Sequence, residues 1–151
     1  MPTISFQIRK GEYIIPVPVV SSDDELNVFN LRNFAKSDVV VRSFSVSSQE
    51  SNYPADIFFR PDGTKMYMVG YLTAKVYSYT LSTPWNISTA SYDNVFFSVN
   101  SQDTRPYGLF FKPDGTRMYV LGYSSKRVYS YTLSTPWNIS TASYDNVFFF
   151  L

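Results

Sequence analysis

The stretch VYSYTLSTPWNISTASYDNVFF, residues 76–97, returns letter for letter at residues 128–149, a shift of 52. The copy extends upstream, where FFRPDGTKMYMVGY at 58–71 matches FFKPDGTRMYVLGY at 110–123 with swaps such as Arg to Lys and Met to Val or Leu. Before that, SFSVSSQES at 43–51 echoes FFSVNSQDT at 96–104 with a shift of 53, so Asn52 reads as a one-residue insertion. Self-similarity at one period marks stacked supersecondary units. The chain therefore divides into an N-terminal segment, residues 1–42, and two repeats over residues 43–151.

Each unit reads as four short strands, because runs rich in Tyr, Phe, Val and Thr are broken by Pro, Gly, Asp and Asn. The first is expected at residues 55–60. Pro61-Asp62-Gly63-Thr64 then makes a hairpin turn: proline presets φ, aspartate bonds nearby backbone, and glycine accepts positive φ. A second strand over 65–71 leads through Leu72-Thr73-Ala74 to a third over 75–81. There Tyr77, Tyr79 and Leu81 share one face and Val76, Ser78 and Thr80 the other. Packable groups on both faces predict a sheet held between neighbours. In Ser82-Thr83-Pro84-Trp85 a threonine cap before a proline predicts one helical turn, and a fourth strand follows at 94–99.

A repeat of about fifty residues with four antiparallel strands is the content of one β-propeller blade. FKPDGTRMYVLGYSSKRVYSYTLSTPWNISTAS, residues 111–143, resembles the propeller-type repeats with a PDGTKMYV core and an LSTPWDISTAS tail found in phage tail or virion proteins and in bacterial surface proteins. That resemblance covers residues 43–151. It departs from the family's tail at Asn86 and Asn138, where the family often has Asp, which argues against a metal-binding carboxylate there. VFNLRNFA at 28–35 also resembles a stretch near the start of some phage tail and fibre proteins, which implies an attachment or oligomerisation role for residues 1–42. The competing reading of that segment is an edge sheet that caps the blades, with residues 4–8 and 13–20 extended and Pro16 and Pro18 confining the latter to an edge.

Two blades do not close a ring that needs about four to eight. Identical subunits close rings by rotational symmetry: two copies would give four blades, three six and four eight. The resemblance to virion adhesins and fibres, commonly threefold, implies three, so the fold class expected is all-β: two four-stranded antiparallel blades per chain plus a β-rich N-terminal segment, completed to a six-bladed propeller by homotrimerisation. Residues 39–46 match a fourth strand yet precede the first full unit, a surplus strand able to finish a neighbour's blade. An open two-blade stack is the alternative.

Composition removes most chemistries. The 151 residues contain no cysteine and no histidine, so disulfides, thiolate nucleophiles, the usual zinc sites and imidazole bases are excluded within one copy. Thirteen basic against twelve acidic residues leave a formal charge of +1, which argues against a phosphate-neutralising surface and hence against nucleic acid. No run approaches the ~20 apolar residues of a membrane-spanning helix, and residues 9–20 make a poor secretory signal because Glu12, Pro16 and Pro18 interrupt it. A protein without a cleaved leader, cofactor or metal, and not an enzyme, is expected.

The candidate ligand site is a glycan shelf on each repeat: Trp85 with Asn86 and Tyr92, and Trp137 with Asn138 and Tyr144. Aromatic faces stack on apolar sugar faces while amides and hydroxyls bond sugar hydroxyls. The competing reading makes each Trp the plug of its own loop, and Asp62 and Asp114 turn formers rather than a catalytic carboxylate pair. Together with the family resemblance these residues predict a virion structural protein, located in the virion. Its oligomeric propeller would serve particle assembly with other virion proteins or attachment to a host-surface glycan by multivalent recognition. A free lectin is the alternative.

Overall fold

The computed structural model describes residues 43–150. The expectations for residues 1–42, and the first part of the surplus strand at 39–46, lie outside the described residues. Eight strands are present: β1 (Pro54–Phe59), β2 (Lys65–Gly70), β3 (Lys75–Leu81) and β4 (Ala90–Ser98), then their repeats β5 (Pro106–Phe111), β6 (Arg117–Gly122), β7 (Arg127–Leu133) and β8 (Ala142–Phe150). They form two four-stranded antiparallel sheets, each paired in sequence order. The chain is all-β over this span apart from two single 3-10 turns, and no described helix is long and apolar enough to cross a membrane.

The hairpin turn forms as its residues dictate. Asp62 accepts the Thr64 amide at 3.0 Å and the Thr64 hydroxyl at 2.7 Å, while Gly63 adopts φ 72° and donates its amide to Arg60 O at 2.8 Å. Asp114 and Gly115 repeat this.

Two local expectations are corrected. The helical turn lies at Ile87–Thr89 rather than at 82–85, and again at Ile139–Thr141. Trp85 sits at φ 63°, in the left-handed region, and gives its amide to Gly63 O at 3.0 Å; a helical path through it is therefore broken, and Asn86 becomes the cap. The fourth strand begins at Ala90, not at 94, because a bulge splits it: Tyr79 pairs with Tyr92 and Tyr77 with Phe96, so three residues oppose Ser78 alone. Asn94 takes the bulge's left-handed position at φ 58°, which short polar Asn tolerates better than most side chains.

The two faces of the first sheet do divide as the alternation predicts. Met66, Met68, Tyr77, Tyr79 and Leu81 pack together on one side with Phe44 and Val46. On the other side Tyr67, Val69 and Val76 join Phe111, Met118, Val120, Tyr129, Tyr131 and Leu133 of the second sheet in the main core. The sheets are thus stacked face to face, an arrangement consistent with propeller-like architecture.

Candidate functional site

The junction between the two sheets is built mainly from aromatic side chains of each repeat. Tyr67 on β2 is fully buried, its ring 4.4 Å from that of Phe111, and its hydroxyl donates to the Trp137 carbonyl at 2.6 Å. Burial pushes the Tyr67 phenol far above its ordinary 10.0. Phe58 on β1 packs on Phe110, Phe111 and Trp137. Asp56 adds a polar clasp: its carboxylate accepts the Leu109 amide of β5 at 2.8 Å and its own neighbour's, Ile57, also at 2.8 Å.

Because the repeats are nearly identical, most residues at this junction have a like counterpart on one of the two outer faces. Leu109 is 6% exposed whereas its counterpart Ile57 is 52% exposed. Trp137 is half-buried between the sheets, whereas Trp85 is 58% exposed. Phe58 is half-buried and Phe110 54% exposed; Tyr67 is fully buried and Tyr119 only half-buried. These four positions are covered where the repeats meet and more open where they do not, whereas Met66, Met68, Tyr77, Tyr79 and Leu81 are buried on the outer face of the first sheet as their counterparts are at the junction.

On the outer face of the first sheet, Phe44 and Val46 hold the places that Phe97 and Val99 hold at the junction. Phe44 meets Tyr79 edge-on at 5.5 Å, as Phe97 meets Tyr131 at 5.4 Å. Gln49 accepts from the Tyr79 hydroxyl at 3.3 Å, as Gln102 does from Tyr131. The described end of the surplus strand therefore packs on the first sheet of its own chain. Beside it an open groove of ≈ 420 Å³ remains, lined by Ala55, Ile57, Phe59, Met66 and Ile87 among others.

The six sequence-predicted shelf residues are distributed over three kinds of contact. Trp137 lies with Phe58, Tyr67 and Phe111 and beneath the Arg60 guanidinium, 5.7 Å from the ring centre. Trp85 packs on Phe59 at 5.7 Å. Tyr92 and Tyr144 instead join the tyrosines of β3 and β7. Asn86 and Asn138 bind their own loops, accepting from the Ser88 and Ser140 hydroxyls at 2.7 Å. A polar cleft of ≈ 310 Å³ does touch Trp137 and Asn138, together with Arg60, Lys65 and Asp93, but its charges are paired: Lys65 with Asp93 at 2.9 Å and Arg60 with Asp62 at 3.1 Å.

Four further carboxylates, two buried and two half-buried, carry no recognisable site motif in the sequence. Glu50 accepts the amides of Asn52, Tyr53, Leu72 and Thr73 and the Thr73 hydroxyl. Burial opposes its charge, yet those donors hold its pKa below the ordinary value. Asp103 does the same in the second repeat, accepting from Arg105 and Ser125 amides at 2.7 Å. Asp93 is likewise lowered against burial by the Ser78 and Thr80 hydroxyls and the Lys65 ammonium, and Asp145 by Ser130, Thr132 and Arg117. The sequence does carry one signal of them: an aspartate repeated identically beside alternating Ser and Thr of the neighbouring strand. Among the described residues no group of three or more carboxylates is placed to hold a metal ion.

No family model and no curated protein matches the chain. Among solved structures the fold is similar to that of a candidate 6-phosphogluconolactonase from Bacteroides fragilis, at 15% identity and a TM-score of 0.52. The match covers 74% of this chain and 28% of that one, so the chain spans under a third of that protein's length. At this identity the likeness establishes the fold alone. The expected function as a virion structural component is corrected here: the solved structure this fold is similar to is described as a bacterial lactonase, and no family model or curated protein ties the chain to a virion. The physical reason is plain in the repeats: Asp62, Gly63 and Trp85, the letters that carried the resemblance, make turns and stack on their own repeat. They report an architecture and not the particle in which it is used.

Proposed function

We propose that the chain is a building block of a non-enzymatic, propeller-like binding scaffold. Its two sheets act as consecutive blades, and further copies supply the rest of a closed ring, three copies giving six blades. The observation that carries this reading is the contrast between Ile57 and Leu109, 52% and 6% exposed at equivalent positions: one face buries the residue against a neighbouring sheet and the other awaits such a neighbour. Contiguous apolar surface of this kind marks association sites, and closed rings of about four to eight blades are the stable form of this architecture. A closed ring would present equivalent loops several times on one rigid body, which favours multivalent binding.

The non-enzymatic part is supported by how the carboxylates are used. Glu50, Asp93, Asp103 and Asp145 are each engaged by several donors of their own fold, and the sequence offers no histidine or cysteine to act beside them. Light scattering of the purified chain tests the assembly and is expected to give the mass of several copies; a single-copy mass would remove the ring. Incubation with 6-phosphogluconolactone is expected to give no turnover above the uncatalysed rate, and measurable turnover would overturn the non-enzymatic assignment.

A further inference from the structure

The ≈ 420 Å³ groove beside β1 has a known occupant at the equivalent place inside the chain. There Phe58 and Tyr67, from the β1–β2 hairpin, lie on Phe111 and Trp137 of the next repeat. We propose that the groove is the docking site for the β5–β6 hairpin of a second copy, with Phe110 and Tyr119 entering it as Phe58 and Tyr67 enter the junction. The proposal rests on the reading that copies associate, and it adds which surface meets which: a head-to-tail contact, unlike the self-complementary contact of a twofold dimer.

Both halves of this contact are already shaped. Trp85 has the backbone of Trp137, φ 63° against 65°, and its ring stands 5.7 Å from Phe59 as that of Trp137 stands 5.6 Å from Phe111. Trp85, stacked on the groove residue Phe59, therefore needs no rearrangement, and its carbonyl is placed to accept from the Tyr119 hydroxyl of the incoming copy. On the other half, β5–β6 carries the register of β1–β2, with Phe110 opposite Tyr119 as Phe58 is opposite Tyr67. Phe44 and Val46 already fill the part of the interface that Phe97 and Val99 supply at the junction. The docked copy thus contributes its hairpin while the receiving copy provides the rest, so the end of the incoming β8 gives way to Phe44.

A mixing experiment with two variants tests the polarity of the contact. Ile57→Asp spoils the groove and Phe110→Asp spoils the hairpin, both at positions more than half exposed in one copy. Circular dichroism checks their folding, with Trp85→Ala and Tyr119→Phe as milder substitutes should either fail. Each variant alone is expected to run as a single copy. Mixed one to one, they are expected to form a pair and stop there, because the intact hairpin of Ile57→Asp fits the intact groove of Phe110→Asp while the remaining ends are blocked. If the unaltered chain is multimeric but the mixture stays as single copies, or either variant alone keeps the parent mass, the head-to-tail contact is wrong and the ring reading survives. A single-copy mass for the unaltered chain overturns both.

Discussion

The Tyr67 hydroxyl of the first repeat is bonded at 2.6 Å to the backbone carbonyl of Trp137 in the second, a polar pin through an otherwise aromatic junction. Tyr67→Phe keeps the ring against Phe111 and leaves that carbonyl without its donor, which costs about 1–2 kcal/mol. Tyr119, its counterpart, has no such partner among the described residues. Tyr119→Phe is therefore expected to leave the stability of a single copy within about 0.5 kcal/mol of the parent. Urea unfolding of both variants at low protein concentration checks the difference; equal losses would contradict it.

Gly63 and Gly115 carry two demands at once. Both have positive φ, and a Cβ at either would collide with the indole of Trp85 or Trp137. Alanine at a left-handed position costs about 1 kcal/mol from the backbone alone. At Gly63 the displaced indole is exposed and can swing away, so Gly63→Ala is expected to cost little more than that. At Gly115 the indole is held by Phe58, Tyr67 and Phe111, so its expulsion opens the junction and the loss rises to about 2–4 kcal/mol. Thermal melts of the two variants should differ clearly in midpoint.

Acid should weaken the fold mainly through four carboxylates, since the other two that their turns hold below the ordinary value, Asp62 and Asp114, are exposed and screened by water. Glu50, Asp93, Asp103 and Asp145 all have folded pKa values below their ordinary 4.5 or 3.8. The unfolded chain then binds more protons as pH falls, so the stability they contribute is complete above the unfolded carboxylate range and is lost progressively below about pH 4. Raised tyrosine values act at the other extreme: Tyr67, Tyr79 and Tyr131 resist ionisation because they are buried, so stability falls as pH rises past about 10. Melting midpoints are expected to be flat between these limits. Asp93→Asn should make the acid limb shallower, and an unchanged limb would show that this site does not drive it.

Much of the fold was legible because the chain states it twice. The identical run from Val76 to Phe97 fixed the unit, and the alternation of Tyr77, Tyr79 and Leu81 against Val76 correctly assigned β3's two faces. What escaped were features in which backbone conformation overrides residue preference. Nothing in Thr83-Pro84-Trp85 announces that Trp85 adopts φ 63°, since a bulky residue there is an exception to steric preference. The bulge at Asn94 hid the first half of β4 in the same way. The candidate site suffered a different limit: sequence shows that Trp85 and Trp137 are copies, but only stacking of the sheets makes one a junction residue and the other a surface one.

Asp56 has no like counterpart in the second repeat, where Gly108 stands in its place, so it contributes to the junction on one side only. Its two oxygens accept from Ile57 and Leu109 amides, one in each sheet, at 2.8 Å. Asp56→Ala leaves the Leu109 amide next to a buried side chain without an acceptor, at a cost of about 1–3 kcal/mol. Asp56→Asn retains one acceptor oxygen and is expected to recover about half of that loss, because a neutral acceptor is weaker than a charged one. Gly108→Asp does not restore symmetry, since its Cβ would lie 3.1 Å from that of Leu121, where β2 has the smaller Val69. Hydrogen exchange at the Leu109 amide gives the readout: faster in Asp56→Ala by the factor its stability loss implies, intermediate in Asp56→Asn. An exchange rate equal to that of the parent would mean the clasp does not hold the two sheets together.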